Sequence, residues 1–151
     1  MMIDVTIHPD FSSLLSQAWI EKLADQTLHQ GIEGEEVELS IALEQDETVK
    51  NLNLQYRNID ATTDVLSFEG NYPNPETGLN HLGDIIISVP QAQKQAIAAN
   101  HSLKQEIALL IVHGILHLSG YDHAELADEK VMWEKQELIL MKLQDFIENE
   151  Q

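Results

Sequence analysis

An α+β fold, a small mixed four-stranded sheet packed against helices, is what this sequence predicts, and three observations carry the prediction. Period-two alternation of apolar residues, the mark of half-buried strands, is confined to the first ninety positions. Helix-period segments crowd the last third. One of them, "LKQEIALLIVHGILHLSG" at 103 to 120, is apolar on almost every side, and a helix of that kind belongs at the centre of the core.

In chain order, "IDVTIH" (3 to 8) places Ile3, Val5 and Ile7 on one strand face. Leu14, Leu15, Ala18, Trp19, Leu23 and Leu28 then recur at helical spacing, with Gly31 where a C-cap is expected. "VELSIAL" (37 to 43) alternates again. A shorter helix is expected from Asp46, taken as its N-cap, to about Tyr56. "TDVLSFEG" and "LGDIIISVP" read as two further strands joined by the loop "NYPNPETGLNH" (71 to 81), whose Pro, Asn and Gly make it the best candidate for mobility. Ser88 and Pro90 open a helix that runs to about Ala99. Ser102, with Gln105 three residues on, has the spacing of a capping box and starts the apolar helix, which Gly120 ends. A closing amphipathic helix is expected from about Glu125 to Ile147. The order β-α-β-α-β-β-α-α-α favours a layer of helices against a mixed sheet over a doubly wound fold.

At 151 residues the chain suits one domain, 1 to 151, with a single core. It holds no run of 18 apolar residues, and "MMIDVTIHPD" lacks the basic and apolar regions of a signal peptide, so a soluble, cytoplasmic protein without membrane attachment is expected. The absence of cysteine excludes disulfides, thiolate ligands and thiol catalysis. Any metal site must therefore be built from nitrogen and oxygen. With 8 basic and 26 acidic residues the formal charge is −18, which repels nucleic acid and anionic membranes at long range.

Against that background "HGILHLSGYDH" (113 to 123) stands out, with three of the seven histidines. His113 and His117 are four apart on the apolar helix, so they share a face with Cβ atoms roughly 6 Å apart. Gly120 can adopt positive φ, turning the chain so that His123 returns to the same point. Three neutral imidazoles suit a zinc ion, one per chain, and leave a fourth tetrahedral position open, as in catalytic sites. The H-x3-H-x5-H spacing, glycine included, is that of the metzincin peptidases, but Gly114 stands where their glutamate base would be. A metallopeptidase is thus the alternative rather than the first reading. His8, His29, His81 and His101 fit no comparable spacing and read as surface or loop residues.

The same eleven residues resemble, at every fixed position, the signature H-G-x-L-H-L-x-G-Y-D-H of the YbeY endoribonuclease family. "YRNIDATTDVLSFEG" (56 to 70) is similar to that family's R-x-x-D-x-P-T-D-V-L-S-F segment, and "LGDIIIS" (82 to 88) to its G-D-I-x-I-S strand. The resemblance covers roughly residues 56 to 134. Thr62 departs from it, standing where the family usually has proline, and is expected to loosen the turn before Thr63.

The resemblance implies a zinc-dependent, single-strand-specific endoribonuclease that matures the 3′ end of small-subunit rRNA and serves ribosome quality control. Its partners would be single-stranded rRNA precursor, the small ribosomal subunit and ribosome-associated proteins. By carry-over His113, His117 and His123 are the metal ligands, and Arg57 and His113 the catalytic residues. A guanidinium binds phosphate bidentately and stabilises charge developing in phosphoryl transfer; read from residues alone, Arg57 is a surface salt bridge. Asp64, Asp84 or Asp122 could orient a ligating imidazole, or form turns and caps. Thr63, Ser67 and Tyr121 could bond substrate or support turns. A ribosome-assembly binding protein with structural zinc is the remaining alternative. The acidic surface implies that RNA is recruited through the ribosome or a partner protein.

Overall fold

The computed structural model describes residues 2–30, 37–120 and 126–149. Strand β1 (Met2–Ile7) is followed by a 3-10 turn at Pro9–Phe11, helix α1 (Gln17–Leu28), strand β2 (Val37–Glu44) and helix α2 (Asp46–Arg57). Then come β3 (Val65–Pro73), β4 (Asn80–Ser88), α3 (Val89–Ala99), α4 (Leu103–Leu118), α5 (Leu126–Lys142) and α6 (Gln144–Asn149). The four strands form one sheet in the order β1-β2-β4-β3. β1, β2 and β4 run parallel, and β3 returns antiparallel along β4 as the outer strand. The mixed sheet expected from the sequence is therefore present, and the chain is α+β.

Alternation assigns the two faces. Val37, Leu39, Ile41 and Leu43 of β2, with Ile85 and Ile87 of β4, are buried under α1 and α4. Asp4, Thr6, Ser40, Ala42, Asp84 and Ile86 turn the other way and line an open cavity of about 370 Å³, closed at one end by Leu52 and Tyr56 of α2. Each fully buried Leu or Ile contributes about 1.5–3 kcal/mol, so the α1–α4 face carries most of the apolar stabilisation.

Several local expectations are met by the hydrogen bonds that define them. Ser88 Oγ accepts from the Gln91 amide and Ser102 Oγ from the Gln105 amide, capping α3 and α4. The capping box at α4 is only half made, because the Gln105 amide side chain donates instead to Glu148 of α6. Ser16 caps α1 by accepting from the Trp19 amide. The C-cap expected at Gly31 lies outside the described residues.

Three expectations are corrected. Asp46 does not cap α2: Gln45 occupies the cap position, and the Asp46 carboxylate accepts from the hydroxyls of Thr62 (2.6 Å) and Ser88 (2.9 Å). The Thr62 bond, ahead of those from Ser88 and Gln91 and the charge of Lys94, holds this carboxyl below its ordinary range against the opposing effect of burial. Thr62 is therefore a tether where a looser turn was expected. The stretch 71 to 81 is strand at both ends, and only 74–79 forms a turn, closed by the Asn74 amide donating to the Leu79 carbonyl at 2.8 Å. Finally, the closing helix is two helices, α5 and α6, that meet at Leu143; Ile139, Leu143 and Ile147 still keep one buried side across the junction.

Candidate metal centre

Helix α4 carries the site because its sequence drives it into the core. From Leu110 to Leu118 every residue is buried except His113 and His117, which are partly buried. Within that stretch the residues left incompletely buried are two imidazoles one turn apart, on one face, at a spacing that lets both reach one ion. The two rings stand at a window in the buried surface. This donor set fits zinc, which takes neutral imidazole nitrogen at about 2.0–2.1 Å.

Gly114, between them, faces the sheet. A Cβ placed there would come within 2.9 Å of Ile85 Cδ1 and 3.2 Å of its Cγ1, so only glycine lets α4 approach β4 this closely. The position that holds the base in peptidases therefore points into the core and not toward the histidines. Gly120 has φ +100°, the left-handed turn expected at the end of α4. His123, Tyr121 and Asp122 lie outside the described residues. Among those described, no group of three His, Asp or Glu side chains is placed to hold a metal.

The first ligand candidate is held from behind. His113 Nδ1 lies 2.9 Å from the amide oxygen of Gln136, which reaches across from α5 and is 1% exposed. Nothing in the motif spacing pointed to Gln136. The signal was in α5 itself, where a polar residue interrupts the buried stripe of Met132, Ile139 and Leu143.

Arg57 ends α2 and is exposed. Its Nη2 donates to the Ser67 carbonyl of β3 at 2.7 Å, and its guanidinium carbon lies 5.3 Å from the centre of the Phe68 ring. Among the described residues it pairs with no carboxylate, so the surface salt bridge read from the residues alone is not what holds it. Asn58, in left-handed conformation, stops α2 directly after Arg57. β3 in turn packs against α4, so the arginine is fixed to the strand that adjoins the histidine helix.

The remaining sequence candidates are placed elsewhere. Asp64 makes a turn: its carboxylate accepts from the Val65 amide at 2.8 Å and the Thr63 hydroxyl at 3.2 Å. Asp84 lies on the open face of the sheet, 3.3 Å from His81 Nε2. His81, expected in a loop, is a buried residue of β4 whose Nδ1 lies 3.6 Å from Glu38. His101, expected at the surface, sits 2.7 Å from the buried carboxylate of Glu106 in the first turn of α4. The rings of His8 and His29 bond locally, His8 accepting from the Asp10 amide and His29 meeting the Asp25 carbonyl.

The family model described as Endoribonuclease YbeY matches residues 6–144, well beyond the span on which the motifs alone carried the likeness. A protein named Endoribonuclease YbeY from Dehalococcoides mccartyi is 40% identical over 160 aligned residues, covering 98% of this chain and 93% of its own. One of the same name from Halalkalibacterium halodurans is 42% identical over 153, covering 93% and 94%. The solution structure of a Thermotoga maritima protein superposes with a TM-score of 0.63 at 25% identity, covering 97% of this chain and 89% of that one.

Proposed function

The chain belongs to the YbeY endoribonuclease family, enzymes that hydrolyse RNA, and from that premise we propose that it is a zinc-dependent, single-strand-specific endoribonuclease. Its task is 3′-end maturation of small-subunit rRNA, with a part in ribosome quality control, in the cytoplasm. The observation that carries the reading is the window in α4: a helix buried from Leu110 to Leu118 except at His113 and His117.

His113, His117 and His123 hold the ion in this reading. When bound, zinc supplies Lewis-acid stabilisation of charge on phosphoryl oxygen. Arg57 supplies the planar fork. One of its donors is spent on the Ser67 carbonyl, which aims the guanidinium; the others reach a phosphate oxygen and stabilise charge as the P–O bond breaks. Stacking over Phe68 limits the rotation of the group, so less freedom is lost when phosphate binds. Gly114, turned into Ile85, offers no carboxylate for peptide hydrolysis, which disfavours a metzincin-like activity. With a formal charge of −18 the domain's field does not attract RNA, so the small subunit and its associated proteins present the strand.

The test is cleavage of an rRNA-precursor fragment, single-stranded and annealed to its complement, by protein of measured zinc content before and after chelation. Cutting of the single strand alone, lost on chelation and restored by zinc, is expected. Cutting that persists in verified metal-free protein, or cleavage of casein with RNA untouched, overturns the proposal.

A further inference from the structure

We infer that Gln136 is a positioning residue for His113: its buried amide oxygen keeps the proton of the neutral imidazole on Nδ1 and so presents the Nε2 lone pair as the ligating atom. The inference rests on reading His113 as a zinc ligand and adds a residue that the histidine motif does not contain.

Gln136 is anomalous for its place. On α5 it falls on the stripe of Met132, Ile139 and Leu143, all facing the core, and is itself 1% exposed. A hydrophobic residue would serve packing better there, since a buried amide without full hydrogen bonding is costly. The cost is real, because the Gln136 amide nitrogen meets no hydrogen-bond partner among the described residues. What the side chain does make is one contact, its oxygen 2.9 Å from His113 Nδ1. An amide oxygen only accepts, so the shared proton belongs to the imidazole nitrogen.

An imidazole in water carries its proton chiefly on Nε2, the arrangement that would block ligation through that atom. A fixed acceptor at Nδ1 reverses the preference before any ion arrives. It also holds the ring plane, as partners of metal-bound histidines do, where their loss costs about 10–100-fold in metal affinity. A neutral amide does this without adding a second negative charge to a surface already crowded with carboxylates.

Two substitutions separate positioning from packing. Gln136→Leu removes the acceptor and completes the apolar stripe; Gln136→Glu keeps an acceptor oxygen. In metal-free protein, 15N NMR is expected to show His113 with Nδ1 protonated in the parent and in Gln136→Glu, and a shift toward the Nε2–H tautomer in Gln136→Leu. Zinc affinity, measured by competition with a chromophoric chelator, should fall about 10–100-fold in Gln136→Leu and stay near the parent's in Gln136→Glu. The metal-free melting temperature of Gln136→Leu should not fall, the opposite of what a structural role demands. An Nε2–H tautomer in the parent, or parent-like zinc affinity in Gln136→Leu, overturns the inference. A parent that binds no zinc at all overturns the metal reading beneath it, and that result is visible without any variant.

Discussion

His81 and His113 are both partly enclosed imidazoles, yet the protein treats them in opposite ways. His81, buried in β4, has a carboxylate at each nitrogen, Glu38 at 3.6 Å from Nδ1 and Asp84 at 3.3 Å from Nε2, and its ring lies 5.3 Å from that of Tyr72. Both of its coordinating positions are occupied by the fold. His113 is bonded at Nδ1 by a neutral amide, stands at a solvent-facing window, and is repeated one turn later by His117. His81 ties β2 to β4 through Glu38, whereas the acceptor fixed at His113 Nδ1 carries no charge.

Removing each imidazole in turn should have the largest and most unlike effects. His117→Ala should reduce bound zinc from about one per chain to near zero, since two remaining imidazoles hold an ion poorly. His81→Ala should leave zinc content unchanged while lowering stability by about 1–3 kcal/mol, because two carboxylates lose the group between them. Elemental analysis of both variants decides it. Full zinc in His117→Ala, or its loss in folded His81→Ala, reverses the assignment.

Next in size is the chemistry. Arg57→Lys should slow cleavage by about 2–4 kcal/mol in activation free energy, despite retaining charge, because an ammonium cannot hold the Ser67 carbonyl and a phosphate in one plane. Zinc content should not change. Single-turnover rates on a single-stranded fragment measure the effect, and a rate near wild type would leave Arg57 a surface residue.

Smaller is the effect of Gly114→Ala. Crowding against Ile85 costs about 1–3 kcal/mol, partly offset by about 1 kcal/mol of gained helix propensity, so a net loss of about 1 kcal/mol is expected. Urea denaturation of metal-free protein reads it directly, and a stabilised variant would show that α4 does not need the close approach.

The smallest effect concerns pH. Because the Thr62 hydroxyl lowers the Asp46 carboxyl in the folded protein, its contribution is present above the unfolded value near 4 and is lost as pH falls through the lowered folded value. Thr62→Val should cost about 0.5–1.5 kcal/mol at neutral pH and flatten the stability loss below pH 4. Equal acid sensitivity in the two proteins would remove the tether from the account.

How much of this was legible in sequence follows from range. The histidine pair was, because a four-residue spacing on a helix is a local fact that needs only helix geometry. So were the caps at Ser88 and Ser102, whose partners lie three residues away. The acceptor behind His113 is 23 residues distant on another helix, and no periodicity links them. For the same reason Asp46 was misplaced: as the first residue of a helix it resembled a cap, while its actual partners, Thr62 and Ser88, are 16 and 42 positions away.

The order of elements through α4, the apolar helix at the centre and the pair of imidazoles upon it were thus readable from sequence, since each depends on residues within a turn or two of one another. Which partner His81 and His113 each meet, a carboxylate or an amide, was settled only in the tertiary structure, by packing between distant elements. Burial is set by what packs against a residue: α5 brings Gln136 to His113, β2 brings Glu38 to His81, and β4 brings Ile85 against Gly114. Those juxtapositions cost chain entropy to close and are stabilised by the core as a whole, so no local stretch of sequence contains them.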